Sequence, residues 1–166
     1  MAQEIIVRRA KVSDAGKIVA FVSQAWQGRL KITEETVIER FGNVGFLLAE
    51  RGGRVVGMLA WGVENLVVRV IDLLIWPASE RAGAVQALFA EMEQAAAALQ
   101  CEAVLLLPPR PISPSAFPFF EKLGYTPQVV ARLPKAWREA ATEARLGDDD
   151  SVLLKQLRED RVLRPM

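Results

Sequence analysis

Two carboxylates stand where proton transfer could be done. Asp72 interrupts the apolar run Val67–Trp76. A carboxylate buried in such a run must be paired or hold a raised pKa. Glu64 stands at a predicted turn just before that run. Either could act as a general base if it borders a cleft. Each also has a plainer reading, Glu64 as a solvated turn residue and Asp72 as the partner of Arg69 or another structural group. A third feature is Gly83, near the start of a long predicted helix. The first N–H groups of a helix lack partners and carry about half a positive charge, which suits a phosphate. A glycine there lets backbone approach the anion without an intervening Cβ. It could equally ease the packing of helix on sheet.

Other chemistries are closed off. The chain has no histidine and one cysteine, Cys101, between Gln100 and Glu102. That removes Ser-His-Asp catalysis and most zinc sites, and no metal is expected. Cys101 lacks the basic neighbour that activates a thiol, so it reads as structural. A lone cysteine cannot form an internal disulfide, which fits a reducing cytoplasm. The 166 residues carry a net charge of +1, with no footprint for nucleic acid or an anionic membrane. No stretch resembles a signal peptide or reaches the ~20 apolar residues of a membrane span.

The elements that must position these residues follow from periodicity. Ile5–Arg9 reads as a strand. Ser13 is expected to cap a helix with the stripe Ile18, Val19, Val22 and Trp26. A second helix from Thr33 would place Val37, Ile38 and Phe41 on one face, ended by Gly42 and Gly45. Phe46–Glu50 and Val55–Gly62 are strands joined by a tight turn, because Gly52-Gly53 supply positive φ. Glu64-Asn65 turns the chain into the strand Val67–Trp76, which Pro77 stops.

A long helix is predicted over Ser79–Leu99, with Val85, Leu88, Phe89, Met92, Ala96 and Leu99 on one face. Ala103–Leu107 reads as a strand buried on both faces. Pro108, Pro109, Pro111 and Pro114 enforce an extended loop. Ser115 is expected to cap a helix that tolerates Pro118 in its first turn and ends at Gly124. Thr126–Arg132 is a strand, Trp137–Ala144 a helix and Ser151–Leu157 a last strand. A single domain over residues 1–157 is expected, with 158–166 a frayed tail.

The element order is β-α-α-β-β-β-α-β-α-β-(α)-β, an α/β (α+β) chain with a mixed, mostly antiparallel sheet of six or seven strands. The β-α-β step makes Val67–Trp76 and Ala103–Leu107 a parallel pair, splayed where the long helix begins.

This order resembles the GNAT superfamily of acetyl-CoA-dependent N-acyltransferases over nearly the whole chain. Two strings sharpen the resemblance. Asp72-Leu73-Leu74-Ile75-Trp76-Pro77 is similar to that family's fourth strand, which leads into its pyrophosphate loop. Phe119-Phe120-Glu121-Lys122-Leu123-Gly124-Tyr125 is similar to its Phe-Tyr-Glu-Lys-Leu-Gly-Phe segment. The resemblance implies acetyl-CoA as cosubstrate, held by Arg81, Ala82, Gly83, Ala84 and Val85. It implies an oxyanion donor near Leu74 or Ile75, and it puts Ser113 where the family has Asn. The acceptor would be a small-molecule or protein amine, with Trp26 and Trp61 as candidate pocket residues and core packing their alternative. A homodimer is one option for assembly.

Besides Ser113, the chain departs from the family at two points. The family's loop reads Gln/Arg-x-x-Gly-x-Gly/Ala; here it is Glu80-Arg81-Ala82-Gly83-Ala84-Val85. If it faces the ligand, Glu80 would repel a diphosphate, by about 1 kcal/mol at ~4 Å in water and about 4 at an effective dielectric near 20, and by little if it points to solvent; Arg81 could partly compensate. Phe120 occupies the place of the family's tyrosine, often the general acid. Acid catalysis contributes about 10²–10⁴, so its loss implies a slower enzyme, or a domain that binds CoA or another ligand without turnover. Tyr125, the one tyrosine, could replace the acid through water or belong to the core. A purely structural or interaction domain, using the Pro-rich loop or the C-terminal segment as a contact, is a third reading.

Overall fold

The computed structural model describes residues 4–29, 31–41, 45–108 and 112–159. Seven strands form one sheet: β1 Ile5–Arg9, β2 Gly45–Arg51, β3 Arg54–Glu64, β4 Val67–Ile75, β5 Ala103–Leu106, β6 Thr126–Val129 and β7 Ser151–Gln156. Their order is β1-β2-β3-β4-β5-β7-β6. The helices are α1 Ala15–Ala25, α2 Glu34–Arg40, α3 Arg81–Ala98, α4 Phe117–Glu121 and α5 Lys135–Glu143. The sequence of elements is the expected one. By contacts the chain gathers into two compact units, residues 1–61 with 72–92 and residues 62–71 with 93–166.

In the first unit β1, β2 and β3 pair antiparallel. Gly52 (φ 60°) and Gly53 (φ 78°) make the hairpin turn, since both central residues of such a turn need positive φ. Ile18, Phe21 and Val22 of α1 and Val37 of α2 pack with Phe46, Leu48, Met58 and Ala60. Thr33 caps α2 by accepting the Thr36 N–H. Three expectations fail here. Ser13 is not the cap of α1; it lies inside a 3-10 turn, Val12–Asp14. Asp14 carries the side-chain bonds, accepting from Lys11 N–H at 2.7 Å and from Arg8 at 2.8 Å. A carboxylate that meets a guanidinium as well as an amide outcompetes a hydroxyl. Ile38 is 40 % exposed, so the buried face of α2 is narrower than its apolar pattern. Trp26 ends α1 and is 47 % exposed, outside the core stripe. Gly42 lies outside the described residues.

In the second unit Val67–Arg69 of β4 pair parallel with Ala103–Leu105 of β5. β5 also pairs antiparallel with β7, and β7 with β6. Buried on both faces, β5 is uniformly apolar, as its sequence required. Leu105, Val130, Leu133, Trp137, Ala141 and Val152 share one core. The turn before β4 uses Asn65 (φ 52°) and Leu66 (φ 64°), one residue later than expected.

Ser115 does not cap α4, whose N-cap is Ala116; Ser115 sits in a 3-10 turn with its hydroxyl 2.9 Å from that of Ser113. β6 stops at Val129 because Val130–Arg132 winds into a 3-10 turn. Leu99 falls beyond α3 and is 57 % exposed. Arg158, expected in a frayed tail, reaches the fully buried Glu102 at 3.6 Å, and Trp137 Nε1 donates to the same carboxylate at 3.0 Å. Cys101 is buried, which pushes its thiol pKa up, in keeping with a structural role. Pro109, Pro111 and residues 160–166 lie outside the described residues.

Candidate active site

The first unit holds the junction between β4 and α3. Trp76 donates its N–H to Val56 O at 3.0 Å. In an antiparallel ladder successive residues turn their N–H groups to opposite edges, so Ile75 N–H points away from β3. The two strand amides named from sequence, Leu74 and Ile75, therefore face opposite edges of β4. Asp72 is half-buried on the same strand.

Past Pro77 the chain does not enter α3 directly. A 3-10 turn, Ala78–Glu80, comes first. Glu80 N–H bonds to Pro77 O at 3.0 Å and Arg81 N–H to Ala78 O, so two donors at this end are already used within the chain. Arg81, Ala82 and Gly83 are exposed, while Ala84 and Val85 are buried. Val85 therefore spends its bulk in the core. A Cβ on Gly83 would come 3.2 Å from Ile5 Cδ1, so this glycine also fits the helix closely onto β1. Glu80 is ion-paired: Arg51 Nε donates to its Oε2 at 2.7 Å. Sequence reasoning missed this pair, because its partners lie 29 residues apart on different elements.

Trp61, on β3, is 7 % exposed, and its indole lies close against Gly45. Its Nε1 has no hydrogen-bond acceptor among the described residues.

The second unit holds the remaining candidates. Glu64 ends β3 with its side chain 45 % exposed. Arg69 lies 3.8 Å from Glu64 and 3.9 Å from Glu143. The Glu143 carboxyl, hydrogen-bonded to Glu64, holds its proton to a higher pH than usual. Phe120 is 3 % exposed and meets Phe119 and Tyr125 edge to face, at 5.4 and 6.4 Å between ring centres. Ser113 is exposed. Tyr125 is fully buried and donates its hydroxyl to Glu93 Oε2 at 2.8 Å. Burial, and then the Glu93 charge, push the phenol pKa far up, in keeping with Tyr125 as a core residue.

The described residues contain no group of three or more His, Cys, Asp or Glu side chains able to hold a metal ion, and no helix long and apolar enough to cross a membrane.

Residues 16–125 match the acetyltransferase (GNAT) family. That is well over half of the chain, and the chain belongs to this family. No curated protein matches the sequence. Solved structures share the fold at low identity. The PaiA N-acetyltransferase of Thermoplasma acidophilum, in complex with coenzyme A, is 14 % identical with a TM-score of 0.64, covering 93 % of this chain and 99 % of that one. The ribosomal-protein-S18-alanine N-acetyltransferase of Escherichia coli is 13 % identical with a TM-score of 0.65, covering 98 % and 99 %. A putative acetyltransferase of Salmonella typhimurium, with its cofactor acetyl-CoA, is 15 % identical with a TM-score of 0.65, covering 96 % and 98 %.

Proposed function

We propose that this chain transfers an acetyl group from acetyl-CoA to a primary amine by direct attack. The observation that carries the reading is the β4–Pro77–α3 junction inside the family match. There an outward-facing strand amide, Ile75, precedes an exposed helix start carrying Arg81, Ala82 and Gly83.

An amine near pKa ~10 must lose a proton before it attacks, and Asp72 or Glu64 is the base. Attack on the thioester carbonyl places charge on its oxygen, which the Ile75 N–H stabilises. Collapse then breaks the C–S bond. The departing thiolate has a pKa near ~8.5, so it leaves without an enzymic acid and takes its proton from solvent. Phe120 is the specific observation behind a second reading, in which the domain binds CoA or another ligand without turnover.

Thermal unfolding with and without acetyl-CoA tests the binding step. Ligand at ~100 times its Kd adds about 2.7 kcal/mol, several degrees for a chain of this size. Thiol release with a panel of amines tests the transfer. Stabilisation without thiol release above the uncatalysed rate favours the second reading; no stabilisation removes the first and confines the second to a ligand other than CoA.

A further inference from the structure

We infer that Arg51 and Glu80 are positioning residues for the cosubstrate's pyrophosphate, a role that rests on the acetyl-CoA reading above. From sequence, Glu80 was expected to repel the phosphates. In the folded protein its carboxylate accepts from Arg51 Nε at 2.7 Å, and the two side chains are only 28 % (Arg51) and 16 % (Glu80) exposed. A carboxylate paired in this way presents a nearly neutral couple to a neighbouring anion.

The pair also fixes the start of α3. Arg51 is the last residue of β2 and stands opposite Ile5 in the β1–β2 register. Gly83, one turn into the helix region, would touch Ile5 Cδ1 at 3.2 Å if it carried a Cβ. The beginning of α3 is therefore tied twice to one end of β1 and β2, once by charge and once by close approach. The β2–β3 pairing is irregular just before Arg51, with Val56 of β3 as the extra residue between the partners of Ala49 and Glu50. Backbone amides bind an anion well only when their directions are fixed in advance. Arg51 supplies that fixing from outside the loop, through Glu80 at the loop's first position.

The sign of the prediction separates this from repulsion. Calorimetry measures the acetyl-CoA Kd of the parent, Glu80→Gln, Arg51→Met and the swapped double variant Arg51→Glu/Glu80→Arg, each checked for folding by its unfolding transition. Both single variants are expected to weaken acetyl-CoA about three- to tenfold, and the swapped pair to recover most of the loss. Because a swapped pair would also restore any stability lost with the ion pair, affinities are compared at a temperature where every variant is fully folded. The same factor should appear with dephospho-acetyl-CoA, which keeps the pyrophosphate, and vanish with S-acetylpantetheine, which lacks it. Tighter binding by Glu80→Gln would overturn the inference and make Glu80 a repelling charge. A loss in Arg51→Met that disappears with the dephospho ligand would overturn it in favour of direct contact with the 3′-phosphate. A parent that binds acetyl-CoA with singles that bind as well sinks the inference alone; a parent that does not bind sinks the acetyl-CoA reading and the inference with it.

Discussion

Tyr125 and Glu93 are joined by a 2.8 Å hydrogen bond, and Lys155 Nζ closes the group by donating to the other Glu93 oxygen at 2.7 Å and to Leu123 O at 3.1 Å. Tyr125→Phe is expected to cost about 1.5–3 kcal/mol, the range for a hydrogen bond to a charged group, with turnover unaffected. The sign at alkaline pH is fixed as well. The folded phenol has a raised pKa, so its stabilisation is complete below the ordinary value of 10.0 and is lost as pH rises beyond it. Denaturant melts between pH 8 and about pH 11 should show the parent losing stability with a steeper slope than the variant.

The acid limb depends on another pair. The Arg8 hydrogen bond holds the Asp14 pKa down at about 2, from an ordinary 3.8. A depressed carboxylate stabilises fully above its unfolded pKa and loses that contribution as pH falls through the folded value. The loss should be about 1–2 kcal/mol, discounting for solvent at the one-third-exposed Arg8. It should fall between about pH 4.5 and pH 2. Asp14→Asn, compared with the parent by urea unfolding at steps through this window, should flatten the slope.

Phe120→Tyr tests the missing acid. The side chain is almost wholly buried, so an added hydroxyl is expected to cost about 1–3 kcal/mol of stability. Turnover should rise by about 10² if departure of the thiolate limits the rate, while acetyl-CoA affinity stays the same, because the proton moves only in the transition state. Steady-state kinetics beside a thermal melt reads both. A destabilised variant with no gain in rate would make Phe120 a packing residue and nothing more.

Gly45→Ala probes the acceptor side. An added Cβ would fall 2.6 Å from Trp61 Cε2 and 2.7 Å from its Nε1, so the indole must move. Overpacking of this kind costs about 1–3 kcal/mol. If Trp61 borders the amine site, the KM for amine should change while the acetyl-CoA Kd does not. A loss of stability that leaves both constants alone would confine Trp61 to the core.

What could be read from the sequence depended on how local each cause was. The β2–β3 hairpin was legible because two adjacent glycines dictate its turn, and β5 because an unbroken apolar run has few other uses. Ser13 and Ser115 misled because each is a good cap by type, yet a 3-10 turn occupies the place where the helix was to begin. Leu99 and Ile38 kept the helical period but ran past the face that is covered. At the site, the opposite facing of the Leu74 and Ile75 amides could be read only once Trp76 had a known partner. The charge on Glu80 was legible and its partner was not, because Arg51 arrives from a distant strand. Tyr125 was legible as a core residue, but Glu93 and Lys155 were not, since each comes from a different element.

The place of β7 bears on how the chain is made. β7 lies between β5 and β6 and pairs with both, yet it is the last of the three to be synthesised. On the ribosome β5 and β6 emerge in order with the edges meant for β7 open, and neither can be completed until Ser151–Gln156 follows. Open strand edges recruit other strands. A transcript ending anywhere between Ala144 and Asp150 would therefore release a polypeptide with two vacant inner edges, prone to capture the corresponding strand of a sister chain.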